Sequence, residues 1–302
     1  MSPAPAPRGR LTVLLTGATS GVGREAARRL AAAGHRVLGV GRDPDRAAAL
    51  TAELRATATR SELLAADLSA RAGWDAVAAW AAERTDRLDA LVHNAGVMTR
   101  TRQETPDGNE LNLAVHHLAP FALTGRLWPL LGKGAVPDGP PAAPGGPARA
   151  LPRVVCVNSE GHRSSMGGHT GIRVDFDDLQ SRRGFDPFLT YSRTKLANLY
   201  FAYELARRHG DEAAVAALHP GVVRTDLGRQ FPKVQVMAVQ LMAISPRRSA
   251  TSVTALAVEP LDRNGGYYDR DRPARSSGPS YDEAAARRMW AATEELCGPF
   301  GG

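Results

Sequence analysis

Short apolar runs and longer amphipathic stretches alternate along most of the chain. The apolar runs have the length of buried strands, and the stretches between them repeat apolar positions at helical spacing. The predicted strands are RLTVLLTG, HRVLGVG, SELLAADL, RLDALVHNAG, RVVCVNS, AAVAALHPG and GGYYD. The predicted helices are GREAARRLAAAG, DPDRAAALTAELRA, WDAVAAWAAERT, NELNLAVHHLAPFALTGRLWPLL, YSRTKLANLYFAYELARRHG and YDEAAARRMWAATEELCG. This alternation predicts an α/β fold with a doubly wound parallel sheet and helices on both faces.

Two segments interrupt the alternation. Residues 132–152 are rich in Pro and Gly and predict a surface loop between a helix and the fifth strand. Residues 224–245 are apolar with weak periodicity and follow a strand end, so they are a candidate substrate lid or, alternatively, a plain packing helix. We predict a flexible leader over 1–10 and a single domain over 11–302.

The composition is that of a folded globular protein, with 43% hydrophobic and 23% charged residues. The net charge of +7 is spread over helices without a basic block or a recognition motif, which argues against nucleic acid and favours a small anionic ligand. Cys156 and Cys297 form no disulfide framework or metal motif, so we expect no metal and a reducing compartment. With no signal-peptide shape and no apolar run of spanning length, we predict a cytoplasmic protein without a membrane span. Homo-oligomer formation stays open.

A glycine-rich segment, TGATSGVG, lies between the first strand and the first helix. Gly17 permits a tight turn, Gly21 lets the backbone approach a pyrophosphate, and Gly23 removes a side chain where helix meets sheet. The helix N-terminus then faces the anion. The segment therefore predicts a dinucleotide site in a Rossmann fold, with further contacts from Thr19, Ser20 and Val22.

Three strand ends predict the remainder of the nucleotide site. The second strand ends in Gly41 and Arg42 where an acid would select NAD(H), so NADP(H) is the predicted cofactor and NAD(H) the less favoured one. A solvated loop arginine is the alternative. At the third strand, Asp67 is predicted to bind the adenine amine beside Leu68, or else to cap the next helix. The fourth strand ends in small groups that leave room for a ribose, namely Asn94, Ala95 and Gly96.

A phenol and an amine lie four residues apart in TYSRTKLANLYF. Tyr191 and Lys195 share one face of the predicted helix, so the ammonium stands beside the phenol. A nearby positive charge lowers the pKa of a tyrosine toward neutrality and prepares it for proton exchange with an alcohol or carbonyl. The alternative is an ordinary exposed pair on a helix edge.

The order and spacing of these motifs, together with Ser159 and HPGVVRT, resemble the short-chain dehydrogenase/reductase family, in its retinol-dehydrogenase and WW-domain-oxidoreductase branch. The resemblance runs from about Leu11 to the C-terminal helix. It implies that Tyr191 donates the proton in reduction, that Lys195 binds the nicotinamide ribose and lowers the tyrosine pKa, and that Ser159 hydrogen-bonds the substrate carbonyl. It also places four residues beside the nicotinamide, namely Pro220, Gly221, Val223 and Thr225.

One position departs from the family pattern. The chain reads VHHLAPF where this branch usually reads VNHLGHF, so His116 occupies the place of the fourth catalytic residue, an asparagine that supports a proton relay. His116 would either conduct protons itself, since imidazole titrates near neutral pH, or be a packed helix histidine. Asn112, one turn earlier, is a candidate for the missing amide, and Pro120 predicts a kink.

These observations predict an NADP(H)-dependent oxidoreductase that interconverts a ketone or aldehyde and an alcohol. The apolar residues of the lid candidate favour a lipophilic small-molecule substrate, such as a secondary metabolite awaiting a tailoring reduction. Two alternatives stay open: an epimerase that works through transient oxidation, and a cofactor-binding scaffold disabled by the His116 change.

Overall fold

The computed structural model describes residues 9–57, 59–136, 150–164, 167–223, 231 and 243–301. Its centre is an eight-stranded sheet in the order β3-β2-β1-β4-β5-β6-β7-β8, in which the first seven strands are parallel and β8 runs antiparallel to β7. The strands are β1 (Thr12–Thr16), β2 (Arg36–Gly41), β3 (Glu62–Ala65), β4 (Ala90–His93), β5 (Arg153–Val157), β6 (Ala214–His219), β7 (Gly266–Asp269) and β8 (Arg272–Ala274). The predicted doubly wound parallel sheet is confirmed.

Helices cover both faces of this sheet. They are α1 (Gly21–Ala32), α2 (Pro44–Arg55), α3 (Arg71–Arg84), α4 (Leu111–Leu113), α5 (Ala119–Leu131), α6 (Pro187–His209), α7 (Pro246–Val258) and α8 (Glu283–Cys297). One apolar core joins the sheet to the layer of α3, α5, α6 and α8, and the other joins it to α1, α2 and α7. The middle positions of the central strands are apolar because these strands are buried on both faces, and polar side chains such as Thr16, His93 and Arg153 stand at strand ends.

Several element boundaries differ from the predictions for local reasons. The strand predicted over SELLAADL ends at Ala65. Helix α6 begins four residues before Tyr191, because Asp186 caps its N-terminus and Pro187 fits the first helical position. Helix α7, which starts after the capping residue Ser245, and strand β8 were not predicted.

The predicted long helix over residues 109–131 is interrupted. Five residues, Ala114–Leu118, form a π-helical turn between α4 and α5. Pro120 follows this turn and has no backbone N–H to donate to the carbonyl of His116, four residues earlier. The predicted kink is therefore a change of helical pitch centred on His116.

The two irregular segments have described ends. Val136 N–H donates to Leu151 O at 3.0 Å, which brings together the ends of the predicted Pro-rich loop, while 137–149 lie outside the described residues. Val223 and Ile244 form a parallel bridge at the ends of the lid candidate, of which 224–230 and 232–242 lie outside the described residues. In the part of the chain that the structure describes, no helix is long and apolar enough to cross a membrane.

Candidate active site

The turn between β1 and α1 is shaped by its glycines. Gly17 and Gly21 have φ values of 65° and 50°, a region that side chains with a Cβ disfavour. A Cβ on Gly17 would lie 2.9 Å from Ala95 Cα, and a Cβ on Gly23 would collide with the carbonyl of Gly17. The amide of Asn94 donates to Thr16 O at 2.9 Å and to Gly17 O at 3.3 Å, so Asn94 braces this turn.

The N-terminus of α1 is uncapped and open. Ser20, at the N-cap position, makes no side-chain cap hydrogen bond, whereas Asp43 and Asp186 cap α2 and α6. Ser20 and Gly96 are exposed at this edge of the sheet. Unsatisfied N–H groups and the positive end of the helix dipole favour an anion here. The predicted phosphate loop thus combines a turn shaped by glycines with an open helix N-terminus.

The end of β2 excludes a side chain from one position and exposes a cation at the next. A Cβ on Gly41 would collide with the side chain of Thr19, which is buried. An acidic residue at position 41 is thus incompatible with Thr19 in this position. Arg42 is exposed, and its guanidinium has no hydrogen-bond or ion-pair partner among the described residues.

The segment after β3 is held by its own backbone. The Asp67 carboxylate accepts from Ser69 N–H at 2.9 Å, and Ala70, not Asp67, is the N-cap of α3. Trp74 Nε1–H donates to Leu68 O at 2.8 Å. A Cβ on Gly73 would collide with Asp67 O, so the approach of α3 to this segment depends on glycine. Asp67 is exposed at the same edge of the sheet as Gly96 and Arg42, the position predicted for an adenine contact.

Tyr191 and Lys195 lie on the inner face of α6 at the end of β5. Their exposed fractions are 8% and 6%, which excludes the alternative of an exposed pair. The ammonium of Lys195 lies 5.7 Å from the centroid of the tyrosine ring and donates to Val157 O at 3.2 Å. Burial lowers the pKa of Lys195 to about 8.

The prediction for the tyrosine pKa is wrong in this structure. Burial raises the pKa of Tyr191 above its ordinary value, and a hydrogen bond with the Ser159 hydroxyl opposes the rise only in part. The ammonium of Lys195 is held by a backbone carbonyl and does not offset the desolvation of a phenolate. Tyr191 is therefore a neutral phenol near pH 7, with a proton to give.

Ser159 lies beside Tyr191, although 32 residues separate the two in the chain. Its hydroxyl oxygen accepts from Gly161 N–H at 3.1 Å at the start of a 3-10 turn. This hydrogen bond uses the oxygen as acceptor and leaves the hydroxyl proton for another partner. Ser159 is thus part of a turn through its backbone and its oxygen, and its hydroxyl hydrogen can serve a second role.

A buried chain of amides supports this corner of the site. The amide nitrogen of Asn158 donates to Lys195 O and to Asn198 Oδ1, each at 3.0 Å, and its oxygen accepts from Ser159 N–H at 2.7 Å. Asn198 in turn donates to the carbonyl of His116 at 2.7 Å, to which Pro120, four residues later, has no N–H to donate. The π-helical turn, the end of β5 and α6 are thus joined by side-chain amides.

The structure favours the packed-histidine alternative for His116. The ring is 2% exposed, and burial together with the charge of Lys195 holds the imidazole pKa well below its ordinary value. Asn112 does not supply an amide to Lys195. Its nitrogen donates instead to Glu110 at 2.6 Å and Thr99 at 2.9 Å.

The strand end that follows β6 closes the other side of the site. Pro220 is buried, and its carbonyl accepts from the Ser249 hydroxyl of α7 at 2.8 Å. Gly221 has a φ of 88°, and a Cβ there would lie 2.9 Å from Ile244 Cδ1. Val223 is half-buried at the bridge described above, and Thr225 lies outside the described residues.

Comparison with known proteins identifies the family. A family model described as short chain dehydrogenase matches residues 11–133. Human retinol dehydrogenase 13 is 33% identical over an aligned length of 301 residues. The alignment covers 95% of this chain and 84% of that protein. The chain belongs to the short-chain dehydrogenase family. A protein of Streptomyces sp. (strain C5) named as the daunorubicin C-13 ketoreductase DnrU is 33% identical over 291 residues, covering 95% of this chain and 92% of that one.

A solved structure extends the likeness to the fold. An uncharacterized protein from Mycobacterium paratuberculosis superimposes with a TM-score of 0.72 at 28% identity, covering 95% of this chain and 93% of that one. Together with the curated relatives, these findings place the chain in the retinol-dehydrogenase-like branch of the short-chain dehydrogenases. It is an enzyme of this oxidoreductase family.

Within the short-chain dehydrogenase site, sequence reasoning missed the polar side chains that hold other side chains in place. Asn158 and Asn198 support the catalytic corner, while Thr16 accepts from Asn94 N–H at 3.0 Å and Ala95 N–H at 3.1 Å at the glycine turn. Asn198 lies seven residues after Tyr191, on the same face of α6, which is the one signal that could have indicated it.

Proposed function

We propose that the protein is an NADP(H)-dependent oxidoreductase that interconverts a ketone or aldehyde and an alcohol on a lipophilic small molecule. The observation that carries this proposal is the convergence of three groups at the carboxyl end of β5. The Tyr191 phenol, the Ser159 hydroxyl and the Lys195 ammonium are brought together there from two separate segments.

The described residues fit a dinucleotide. The uncapped α1 N-terminus and the glycine turn of residues 17–23 would hold the pyrophosphate. Arg42 would meet a 2′-phosphate, because it is exposed and unpaired among the described residues and no acid can replace Gly41 beside Thr19. Asp67 and Leu68 would contact the adenine, and residues 94–96 the ribose. When bound, NADPH supplies the hydride.

In reduction, Tyr191 donates its proton to the carbonyl oxygen. The raised pKa keeps the phenol protonated near neutral pH, so the donor is present in the form that reduction requires. Ser159 donates its hydroxyl hydrogen to the same oxygen and stabilises the negative charge that develops there. The Lys195 ammonium favours the phenolate that remains and would hold the nicotinamide ribose. In alcohol oxidation the same groups act in reverse.

The substrate class rests on three supports. The lid candidate is rich in apolar side chains, and the relatives named above carry the names of a retinol dehydrogenase and a daunorubicin ketoreductase. Tailoring of a secondary metabolite is therefore the role we favour. The cytoplasmic location and the single-domain organisation stay predictions.

The test begins with titration of the purified protein with NADPH and NADH. NADPH oxidation is then measured against a panel of lipophilic aldehydes and ketones, with Tyr191→Phe as the control. We expect tighter binding of NADPH and turnover that Tyr191→Phe abolishes. Tight NADPH binding without reduction of any carbonyl would instead support the cofactor-binding scaffold, and turnover without net NADPH consumption would support the epimerase.

A further inference from the structure

His116 makes a different contact with each of its ring nitrogens. Val97 N–H, in the segment that follows β4, donates to Nε2 at 3.0 Å. The other nitrogen, Nδ1, lies 2.9 Å from the hydroxyl oxygen of Thr194 on α6. The ring also meets the ring of Tyr191 at right angles, with 5.3 Å between centroids. The imidazole thus lies between the wall of the nucleotide cleft and the catalytic helix.

These contacts determine the tautomer. A backbone N–H is always a donor, so Nε2 must carry a lone pair and the proton of the neutral ring must be on Nδ1. The Thr194 hydroxyl donates its hydrogen to Tyr191 O at 2.8 Å, which leaves its oxygen to accept from Nδ1–H. Each donor among these hydrogen bonds therefore meets an acceptor. Both ring nitrogens are occupied, so neither is available to pass a proton on.

The charged surroundings of His116 also disfavour its protonation. Lys195 is the cation that acts on the ring, and Tyr191 is the ionisable group in ring contact with it. Neither is an anion, and no carboxylate among the described residues raises the pKa of His116. A protonated ring would also turn Nε2 into a donor that faces Val97 N–H, with two hydrogens directed at each other.

The backbone of His116 makes a further link. Its carbonyl accepts from Asn198, one turn along α6 from Thr194, because Pro120 cannot serve as its helical donor. Side chain and carbonyl together therefore bind α6 on both sides of Lys195. One residue joins the cleft wall at Val97 to the helix that carries the Tyr191 phenol and the Lys195 ammonium.

We propose that His116 is a positioning residue that stays neutral as its Nδ1–H tautomer and fixes the separation between the nucleotide cleft and Tyr191, without carrying protons. This inference rests on the proposed function, since the distance it fixes is the one between a bound nicotinamide and the proton donor. In this protein, an imidazole therefore connects the segment of Val97 to α6 at the position where the family has its relay asparagine.

The kinetic test uses three single variants and one double variant, and counts active sites by NADPH titration. His116→Phe keeps the aromatic contact with Tyr191 but loses both hydrogen bonds, so we expect kcat per NADPH-binding site to fall about 100-fold through misplacement of the phenol. His116→Asn keeps one polar contact and should lose less than about tenfold of that rate. Thr194→Val removes the contact of the His116 ring with α6, together with the hydroxyl that donates to the Tyr191 backbone carbonyl, while Asn198 still binds the His116 carbonyl. Because His116→Phe has already lost the ring contact, the double variant should lose little beyond His116→Phe alone.

The same kinetics separate positioning from two other roles. A residue that only stabilises the fold would lower the number of binding sites but leave kcat per site unchanged. A proton carrier would add an imidazole ionisation near pH 6.5 to the wild-type profile, lost in His116→Asn. We expect neither result. Full turnover per site in both His116→Phe and Thr194→Val would overturn the proposal.

A spectroscopic measurement does not depend on turnover. In a long-range ¹H–¹⁵N spectrum of histidine-labelled protein, the His116 signal is assigned by its absence in His116→Asn. We expect the Nδ1–H pattern, unchanged between pH 5 and 8. An Nε2–H pattern, or titration in that range, would overturn the proposal. If no carbonyl is reduced, the proposed function fails, while the spectrum still decides the tautomer.

Discussion

Two regions of the site are built in opposite ways. The glycine region, residues 17–23, 41–42 and 94–96, takes its shape from side chains that are missing, since a Cβ on Gly17, Gly23 or Gly41 would meet a neighbouring atom at or below 3 Å. The hydrogen-bonded region, residues 114–118, 157–159 and 191–198, takes its shape from buried polar side chains that pair with each other and with the backbone.

The proposed function accounts for this difference. A pyrophosphate needs close approach to backbone N–H groups, so this site requires space and unsatisfied donors. Proton transfer needs a phenol held at a fixed place. The hydrogen-bonded region therefore requires several neighbouring groups that hold the phenol in position. We therefore expect substitutions in the glycine region to change cofactor affinity, and substitutions in the hydrogen-bonded region to change turnover at saturating cofactor.

After Tyr191 itself, the largest effect among these substitutions is expected from Lys195→Met. Loss of the ammonium removes the cation that favours the phenolate formed on proton transfer, so the rate of carbonyl reduction should fall about 100-fold or more. Lys133→Met, at an exposed position outside the site, is the control and should leave the rate unchanged. The measurement is kcat at saturating NADPH, and equal rates in the two variants would contradict the role of the ammonium.

A methyl group at Gly23 should break the glycine region. Its Cβ would collide with Gly17 O and displace the turn, so the Kd for NADPH should rise roughly 30-fold and stability should fall by about 1–3 kcal/mol. Gly184→Ala is the matched control, because a Cβ there meets nothing within 4 Å. Fluorescence titration with NADPH gives both affinities, and an unchanged Kd in Gly23→Ala would show that the turn does not shape the cofactor site.

Acid should destabilise the fold through its buried histidines. Burial lowers the pKa of His93 to about 3 and that of His117 to about 4, and the same cause lowers the pKa of the others. The histidines with lowered pKa are His93, His116, His117, His162 and His219. Each contributes its full stability above an unfolded pKa of about 6.5 and loses it as the pH falls toward its folded pKa. For His93 and His117, with folded pKa values of about 3 and about 4, the loss is about 1.4 kcal/mol for each pH unit below about 6.5.

Urea unfolding at pH 7, 6 and 5 measures this loss of the free energy of unfolding. In His93→Gln, the free energy of unfolding should fall less steeply with falling pH, by the contribution of one histidine. The buried Glu110 acts in the opposite direction, because burial raises its pKa and the folded state takes up its proton first. A free energy of unfolding that stays constant from pH 7 to 5 would contradict the neutral histidines.

The smallest effect is expected from Arg42→Ala. Loss of an exposed guanidinium should raise the Kd for NADPH about tenfold and leave the Kd for NADH unchanged, because only the 2′-phosphate distinguishes the two. Arg46→Ala, an exposed arginine on α2 that pairs with Asp43, is the control for general charge loss. Equal changes for both cofactors would show that Arg42 does not select between them.

The comparison of the two regions also explains what the sequence could predict. Glycines at a strand end, such as Gly17 and Gly23, indicate a phosphate turn by themselves, and the strand and helix pattern predicted the doubly wound sheet. The pair Tyr191 and Lys195 was predicted because one helical turn separates them. The hydrogen-bond partners of Asn158 and Asn198 could not be predicted, since they are fixed by the pairing of distant segments, although the helix face that Asn198 shares with Tyr191 was a signal for its position.

The pKa of Tyr191 shows the same limit. The helical spacing predicted that Lys195 lies beside Tyr191 and was expected to lower the tyrosine pKa. The desolvation that raises this pKa depends on burial by the whole fold, which the spacing does not show. Likewise, the residue pattern around Pro120 predicted a kink, whereas the π-helical turn and the two contacts of His116 depend on Val97 and Thr194 across the site.

A single-turnover experiment shows whether cofactor binding and proton transfer are divided between the two regions. Wild type and Tyr191→Phe are each saturated with NADPH and mixed with a reducible carbonyl, and the loss of NADPH fluorescence is followed. We predict equal NADPH saturation in both proteins and a rate about 1000-fold lower in Tyr191→Phe. Equal rates of NADPH loss would contradict the account, because the proton would then not come from Tyr191.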